Sequence, residues 1–133
     1  MGKAKQITVW VENRAGQLAR ITKALAQSKV NLIALATYDT ENGSAIRVVA
    51  ANPARARQAL DGLGLRLSEE DVLRLSLAHR PGQLAKVSAR LAEENITVTY
   101  AYGVAGTGSK NAEFVLAVSD LVGAMKALKG LQV

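Results

Sequence analysis

The chain has 133 residues, of which 49% are hydrophobic and 21% charged, a composition typical of globular proteins. It has no cysteine and one histidine, so disulfides and thiolate metal sites are excluded. No long apolar stretch follows the first lysines, and we expect a cytoplasmic protein with neither signal peptide nor membrane span. The net charge of +6 falls within residues 1–67, but no adjacent basic residues form a nucleic-acid-binding run.

The first predicted elements are a strand and a helix. Ile7, Val9 and Val11 recur at every second residue, which predicts a strand with one buried face. Gly16 then opens a segment in which Leu18, Ile21 and Leu25 recur at helical spacing. The pattern predicts an amphipathic helix that packs on the strand.

A hairpin is predicted next. Residues 30–38 and 44–51 are strand-like, and the turn between them contains Asn42-Gly43. An Asn-Gly pair between two such runs is a strong hairpin signal, because both residues tolerate positive φ.

A second helix and a short strand complete the pattern. Asn52 is predicted to cap a helix that begins at Pro53 and runs through Leu60, and residues 62–67 form the closing strand. The order strand, helix, strand, strand, helix, strand is that of a split βαβ unit. Such a unit packs both helices on one face of a four-stranded antiparallel sheet.

The whole pattern recurs after 66 positions. Residues 15–22 align with residues 81–88, and residues 64–67 align with residues 130–133. The sequence therefore predicts an α+β protein of two ferredoxin-like βαββαβ units in tandem, with domains at 1–68 and 69–133. Residues 68–71 are the predicted linker, so short that the two units should pair through sheet edges or faces.

The turn before the first helix of each copy is the candidate site. Its sequence is Asn13-Arg14-Ala15-Gly16 in the first copy and His79-Arg80-Pro81-Gly82 in the second. A helix N-terminus has unpaired N–H groups and a partial positive charge, and therefore suits a carboxylate. The residues alone also allow a simpler interpretation, in which each glycine only makes a tight turn.

These segments resemble the ACT domain, the amino-acid-sensing module of many biosynthetic enzymes, and especially the ACT module of phosphoglycerate dehydrogenase. The resemblance lies in residues 11–18 with 29–32, and again in residues 78–84 with 95–98. It implies a free-standing regulatory protein without catalysis or cofactor, a homodimer that binds an amino acid between paired ACT units. The ligand carboxylate would meet the turn, and its amine the polar residue that starts the second strand.

The resemblance implies a set of ligand-binding residues in each copy. They are Asn13, Arg14, Ala15, Gly16, Gln17, Leu18, Asn31 and Leu32, and then His79, Arg80, Pro81, Gly82, Gln83, Leu84, Thr97 and Val98. We expect the carboxylate on the N–H groups of Gln17 and Leu18, and the ammonium on the amide oxygen of Asn31 from the same or the paired unit. The second copy departs from the dehydrogenase pattern, because His79 and Thr97 replace asparagines.

Two other features have simpler interpretations. His79 lacks the partners that a metal site or a catalytic triad requires, so it is a turn or cap residue or a ligand contact. Residues 106–110, Gly-Thr-Gly-Ser-Lys, superficially resemble a phosphate-binding loop. They join two predicted strands and have the wrong order, which indicates a hairpin loop that is longer than its counterpart in the first copy.

Nucleic-acid binding is a further alternative, since RNA-recognition domains share this element order. Those domains stack bases on aromatic residues of a defined motif in the third strand, and neither copy contains that motif. Trp10 and Tyr102 are more simply explained by burial of the sheet surface. We therefore expect an amino-acid-binding regulatory protein. The alternatives are a subunit that docks on a metabolic enzyme without a ligand and, less favoured, a nucleic-acid-binding protein.

Overall fold

The computed structural model describes residues 1–133 and contains six strands and four helices. In chain order they are β1 (Gly2–Val11), α1 (Gln17–Gln27), β2 (Leu32–Thr40), β3 (Gly43–Ala50), α2 (Pro53–Asp61), β4 (Arg66–Ala78), α3 (Gln83–Glu93), β5 (Val98–Val104), β6 (Asn111–Val118) and α4 (Leu121–Leu128). No helix is long and apolar enough to cross a membrane.

The chain divides into two compact units. The first unit is Lys5–Glu70, and the second consists of Met1–Ala4 together with Asp71–Val133. Strands β1 and β4 therefore each contribute residues to both units. This α+β arrangement of antiparallel strands with helices confirms the predicted ferredoxin-like fold class.

In the first unit the strands lie in the order β2-β3-β1-β4. β3 pairs antiparallel with both β1 and β2, with Val48 opposite Ile7 and Leu35. The core forms between one face of these strands and both helices, as the periodicity predicts. Its fully buried members include Ile7, Val9, Ile21, Leu25, Ala56 and Leu60.

The second unit repeats this arrangement with the order β1-β4-β6-β5. Its core consists of alternate residues of β4 packed against the apolar stripes of α3 and α4. The buried members include Leu73, Leu75, Leu77, Val87, Leu91, Ala124 and Leu128. Because each helix buries one stripe on the same sheet face, both helices lie on that face, as predicted.

The predicted linker and the predicted last strand are both wrong. Residues 68–71 lie inside β4, a strand of 13 residues. At about 3.3 Å per residue this strand is about 43 Å long, enough to end one unit and begin the next. Residues 130–133 form no strand, and Met1–Ala4 belong to the second unit instead. Leu131 and Val133 nevertheless pack against the second core.

The predicted first hairpin forms, with a shorter turn than the sequence predicts. β2 continues to Thr40 and β3 begins at Gly43, so only Glu41 and Asn42 are turn residues, rather than residues 39–43. Gly43 has φ +121°, and a Cβ atom there would lie 2.6 Å from the carbonyl oxygen of Val11. The backbone at Gly43 therefore packs closely against the backbone just before the first candidate turn.

Candidate functional site

Each candidate turn ends in a glycine whose backbone only glycine adopts without strain. Gly16 has φ +92° and Gly82 has φ +90°, and these residues are the N-caps of α1 and α3. The first helical hydrogen bonds run from Arg20 N to Gly16 O and from Lys86 N to Gly82 O, both 3.0 Å. The N–H groups of the first three residues of each helix, which precede Arg20 and Lys86, thus have no partner within the helix.

The other two helices are capped by their own side chains. Asn52 Oδ1 accepts from Arg55 N at 3.1 Å, which confirms the predicted cap of α2. Asp120 Oδ1 accepts from Gly123 N at 2.9 Å at the start of α4. Neither α1 nor α3 has such a side-chain acceptor. The two helices that begin at candidate turns are therefore the two whose N-termini are open to an external acceptor.

Space for a ligand exists at both glycines. Residues 13–16 and 79–82 are exposed, and a Cβ atom on Gly16 or Gly82 would have no atom within 4 Å. Pro81 immediately precedes the cap residue Gly82. The two interpretations of these glycines are compatible, since each one makes a tight turn and also leaves its helix end accessible.

The first residue of each helix is a buried glutamine. Gln17 is 7% exposed and Gln83 is 3% exposed, and each continues the apolar stripe of its helix. Nε2 of Gln83 is buried and has no hydrogen-bond partner. Gln83 is the first residue of α3, so its side chain lies next to the second turn. Leu18 and Leu84, the next residues, are 45% and 42% exposed. The prediction that Leu18 belongs to the buried stripe with Ile21 and Leu25 is therefore wrong, because Gln17 takes that position.

The predicted amine contact is not near the turn of its own unit. Asn31 O accepts from Ala51 N at one end of β3, whereas Val11, just before the turn, pairs with Ser44 at the other end. Ser44 and Ala50 are six residues apart on the strand, about 20 Å. Gly16 and Asn31 of the same unit therefore cannot meet in one site. The same holds for Leu32, which follows Asn31.

The second unit has the same separation. Thr97 exchanges hydrogen bonds with Ser119, through Thr97 N to Ser119 Oγ and Ser119 N to Thr97 O, both 2.9 Å. Ala78, before the second turn, pairs with Asn111 at the opposite end of β6. Thr97 and Val98 thus lie far from residues 79–84 of their own unit.

The remaining sequence features have plain structural roles. Residues 105–110 join β5 to β6, which confirms a hairpin loop and excludes a phosphate loop, since no helix follows. The N–H of His79 donates to Lys110 O at 2.8 Å, so the loop is attached to the second turn. No group of three or more His, Cys, Asp or Glu side chains comes together to hold a metal ion.

The second unit also contains a cavity that the sequence does not predict. It has a volume of about 390 Å³ and is lined by residues of β1, β4 and β6, including Lys3, Arg74, Ser76 and Glu113. None of the predicted site residues lines it. The candidate turns are open surfaces rather than parts of this cavity.

Comparisons with known proteins agree with this fold. The family model of the ACT domain pair matches residues 3–119. Protein BT0572 from Bacteroides thetaiotaomicron has a similar crystal structure, with 30% identity and a TM-score of 0.88 over 96% of this chain and 87% of that chain. No curated protein matches this chain.

Two further structures are similar in fold alone. The ligand-free regulatory subunit of aspartate kinase from Thermus thermophilus has 14% identity and a TM-score of 0.71, covering 97% of this chain and 96% of that one. The regulatory subunit from Thermus flavus has 15% identity and a TM-score of 0.64, covering 97% and 95%.

Proposed function

Because this chain belongs to the ACT domain family, as a pair of ACT domains, we propose that it is a non-catalytic regulatory protein that binds a free amino acid. The observation that carries the proposal is the contrast between its helix ends. α2 and α4 are capped by Asn52 and Asp120, whereas α1 and α3 begin at exposed, positive-φ glycines with free N–H groups. A carboxylate fits these free donors and the positive end of the helix dipole.

The proposed ligand lies over the first turn. Its carboxylate accepts from the N–H groups of Gln17 and Leu18, with Gly16 leaving room for the approach. Its ammonium donates to the amide oxygen of Asn31. Since Asn31 lies at the far end of its own sheet, this contact comes from a second copy of the chain. A protein that completes its sites in this way is expected to be a homodimer.

A second candidate function is docking on a metabolic enzyme without a ligand. The observation that favours it is a set of exposed apolar side chains on the helices. Leu18 and Leu84 are 45% and 42% exposed, and Val122 on α4 is 75% exposed. These apolar side chains are available for contact with a partner protein.

A thermal-shift screen of the twenty amino acids separates the two functions. A ligand that binds only the folded state adds about 2.7 kcal/mol to the free energy of unfolding at a hundredfold excess over its Kd, so the melting temperature should rise. If no amino acid at millimolar concentration raises it, the protein does not sense amino acids, and the docking function replaces the proposal.

Asn31→Ala is expected to weaken binding of whichever amino acid the screen identifies. The change removes one hydrogen bond to a charged group, so the loss should be about 1.5–3 kcal/mol in isothermal titration calorimetry. Gln58→Ala, which truncates an exposed amide on α2, is the control and should bind as the unaltered protein does. Equal affinities of Asn31→Ala and Gln58→Ala would exclude Asn31 from the site.

A further inference from the structure

The surroundings of the first turn are acidic. Glu12 precedes the turn, and its Oε2 lies 3.2 Å from Nε of Arg14, which is thereby paired. The first hairpin, which packs against the backbone of Val11 through Gly43, contains Asp39 and Glu41. Glu12 is thus paired with Arg14, and Asp39 accepts from Ser44 Oγ at 2.8 Å. Three carboxylates and one guanidinium belong to this turn and hairpin, although this half of the sequence is the basic half.

The surroundings of the second turn are basic. Ala78 occupies the position of Glu12 in the repeat, and the hairpin loop at residues 105–110 contains no acidic residue. This loop instead ends in Lys110, whose carbonyl oxygen accepts from the N–H of His79. Arg80 is next in the chain. All three side chains are exposed, and none of them makes a hydrogen bond or an ion pair.

The buried amide of Gln83 is a second sign of a ligand at this turn. A buried N–H donor without an acceptor costs free energy, and such donors are rare in folded proteins. Because the side chain at the first helical position lies next to the turn, an acceptor placed there can satisfy it. Gln17, at the matching position of the first unit, has no such unpartnered buried nitrogen.

We propose that the two turns select amino acids of different charge. The second turn takes an amino acid with an anionic side chain, which Arg80 and Lys110 attract while the α-carboxylate occupies the start of α3. The first turn takes a neutral or cationic amino acid, because its three carboxylates repel a second negative charge. This inference rests on the proposed amino-acid-binding function and adds the ligand class of each site.

The test compares ligands that differ in charge and hardly in shape. Aspartate against asparagine, and glutamate against glutamine, are titrated into the unaltered protein by calorimetry. Two exposed cations near one carboxylate should favour the acid over its amide about tenfold at one site per chain, and less at high salt. The variant Arg80→Gln/Lys110→Gln should lose this preference. Lys126→Gln, which removes an exposed cation on α4, should keep it.

A second variant keeps the test decisive if the double variant fails to fold. Ala78→Glu places at the second turn the carboxylate that Glu12 provides at the first, and should also lower the preference for acids. If the unaltered protein binds no amino acid, the proposed function itself fails. If it binds acids and amides equally well, or if both variants keep the preference, amino-acid binding stands and the assignment of charge is wrong.

Discussion

Replacing Gly16 with valine is expected to abolish the rise in melting temperature that an amino acid bound at the first turn produces. A Cβ atom on Gly16 meets no atom of the protein within 4 Å, so it projects into the open space over the helix end. The two methyl groups of valine would fill the space that the carboxylate needs to reach the N–H groups of Gln17 and Leu18. The measurement is thermal shift with the amino acid that the screen identifies.

The control separates lost binding from lost stability. Valine is strained at the φ of +92° of Gly16, and such strain costs about 1–3 kcal/mol. Gly64→Val introduces similar strain at φ +70° in an equally open position after α2, and it should keep the response to the ligand. Gly82→Val is the matching change at the second turn. A full ligand response in Gly16→Val would exclude the start of α1 as the site.

The predictions from the sequence hold where burial follows local periodicity. Alternation in β1 and in the second half of β4, and the helical spacing of Ile21 and Leu25, predicted the residues that form the two cores. A strand or helix with one apolar face can bury that face in only one orientation, so the pattern fixes it. The Asn52 cap of α2 and the turn glycines Gly16 and Gly82 were equally local and equally predictable.

The errors concern pairing between distant segments. The repeat predicted a closing strand at residues 130–133, yet Met1–Ala4 take part in the second unit instead. Which segment extends a sheet depends on hydrogen bonds to residues far away in sequence, and periodicity does not encode that choice. The continuity of β4 through residues 68–71 was missed for the same reason, since its polar side chains resemble those of a linker.

The geometry of the candidate turns was predicted in part. The turns and their open helix ends followed from the sequence, but the buried amide of Gln83 did not. A usable signal existed, because Gln83 stands four residues before Val87 on the core stripe of its helix. The charge of each half of the chain was misleading, since the acidic turn lies in the basic half.

Gly43→Ala is expected to destabilise the protein more than a change at any open positive-φ glycine. A Cβ atom at Gly43 would lie 2.6 Å from the carbonyl oxygen of Val11, a backbone atom that cannot rotate away. Overpacking and strain at φ +121° together should lower the free energy of unfolding by about 2–4 kcal/mol. Chemical denaturation followed by circular dichroism measures the loss.

Gly108→Ala is the matched control for this change. Gly108 has φ +76° and open space around its Cα, so alanine there meets the backbone cost of about 1–2 kcal/mol and no clash. The difference between the two variants therefore measures the contact between the first hairpin and the first turn. If Gly43→Ala lowers the free energy of unfolding no more than Gly108→Ala does, the hairpin does not pack closely against the first turn. Asp39 and Glu41 would then not be held beside the first site, and its proposed discrimination against acidic amino acids would depend on Glu12 alone.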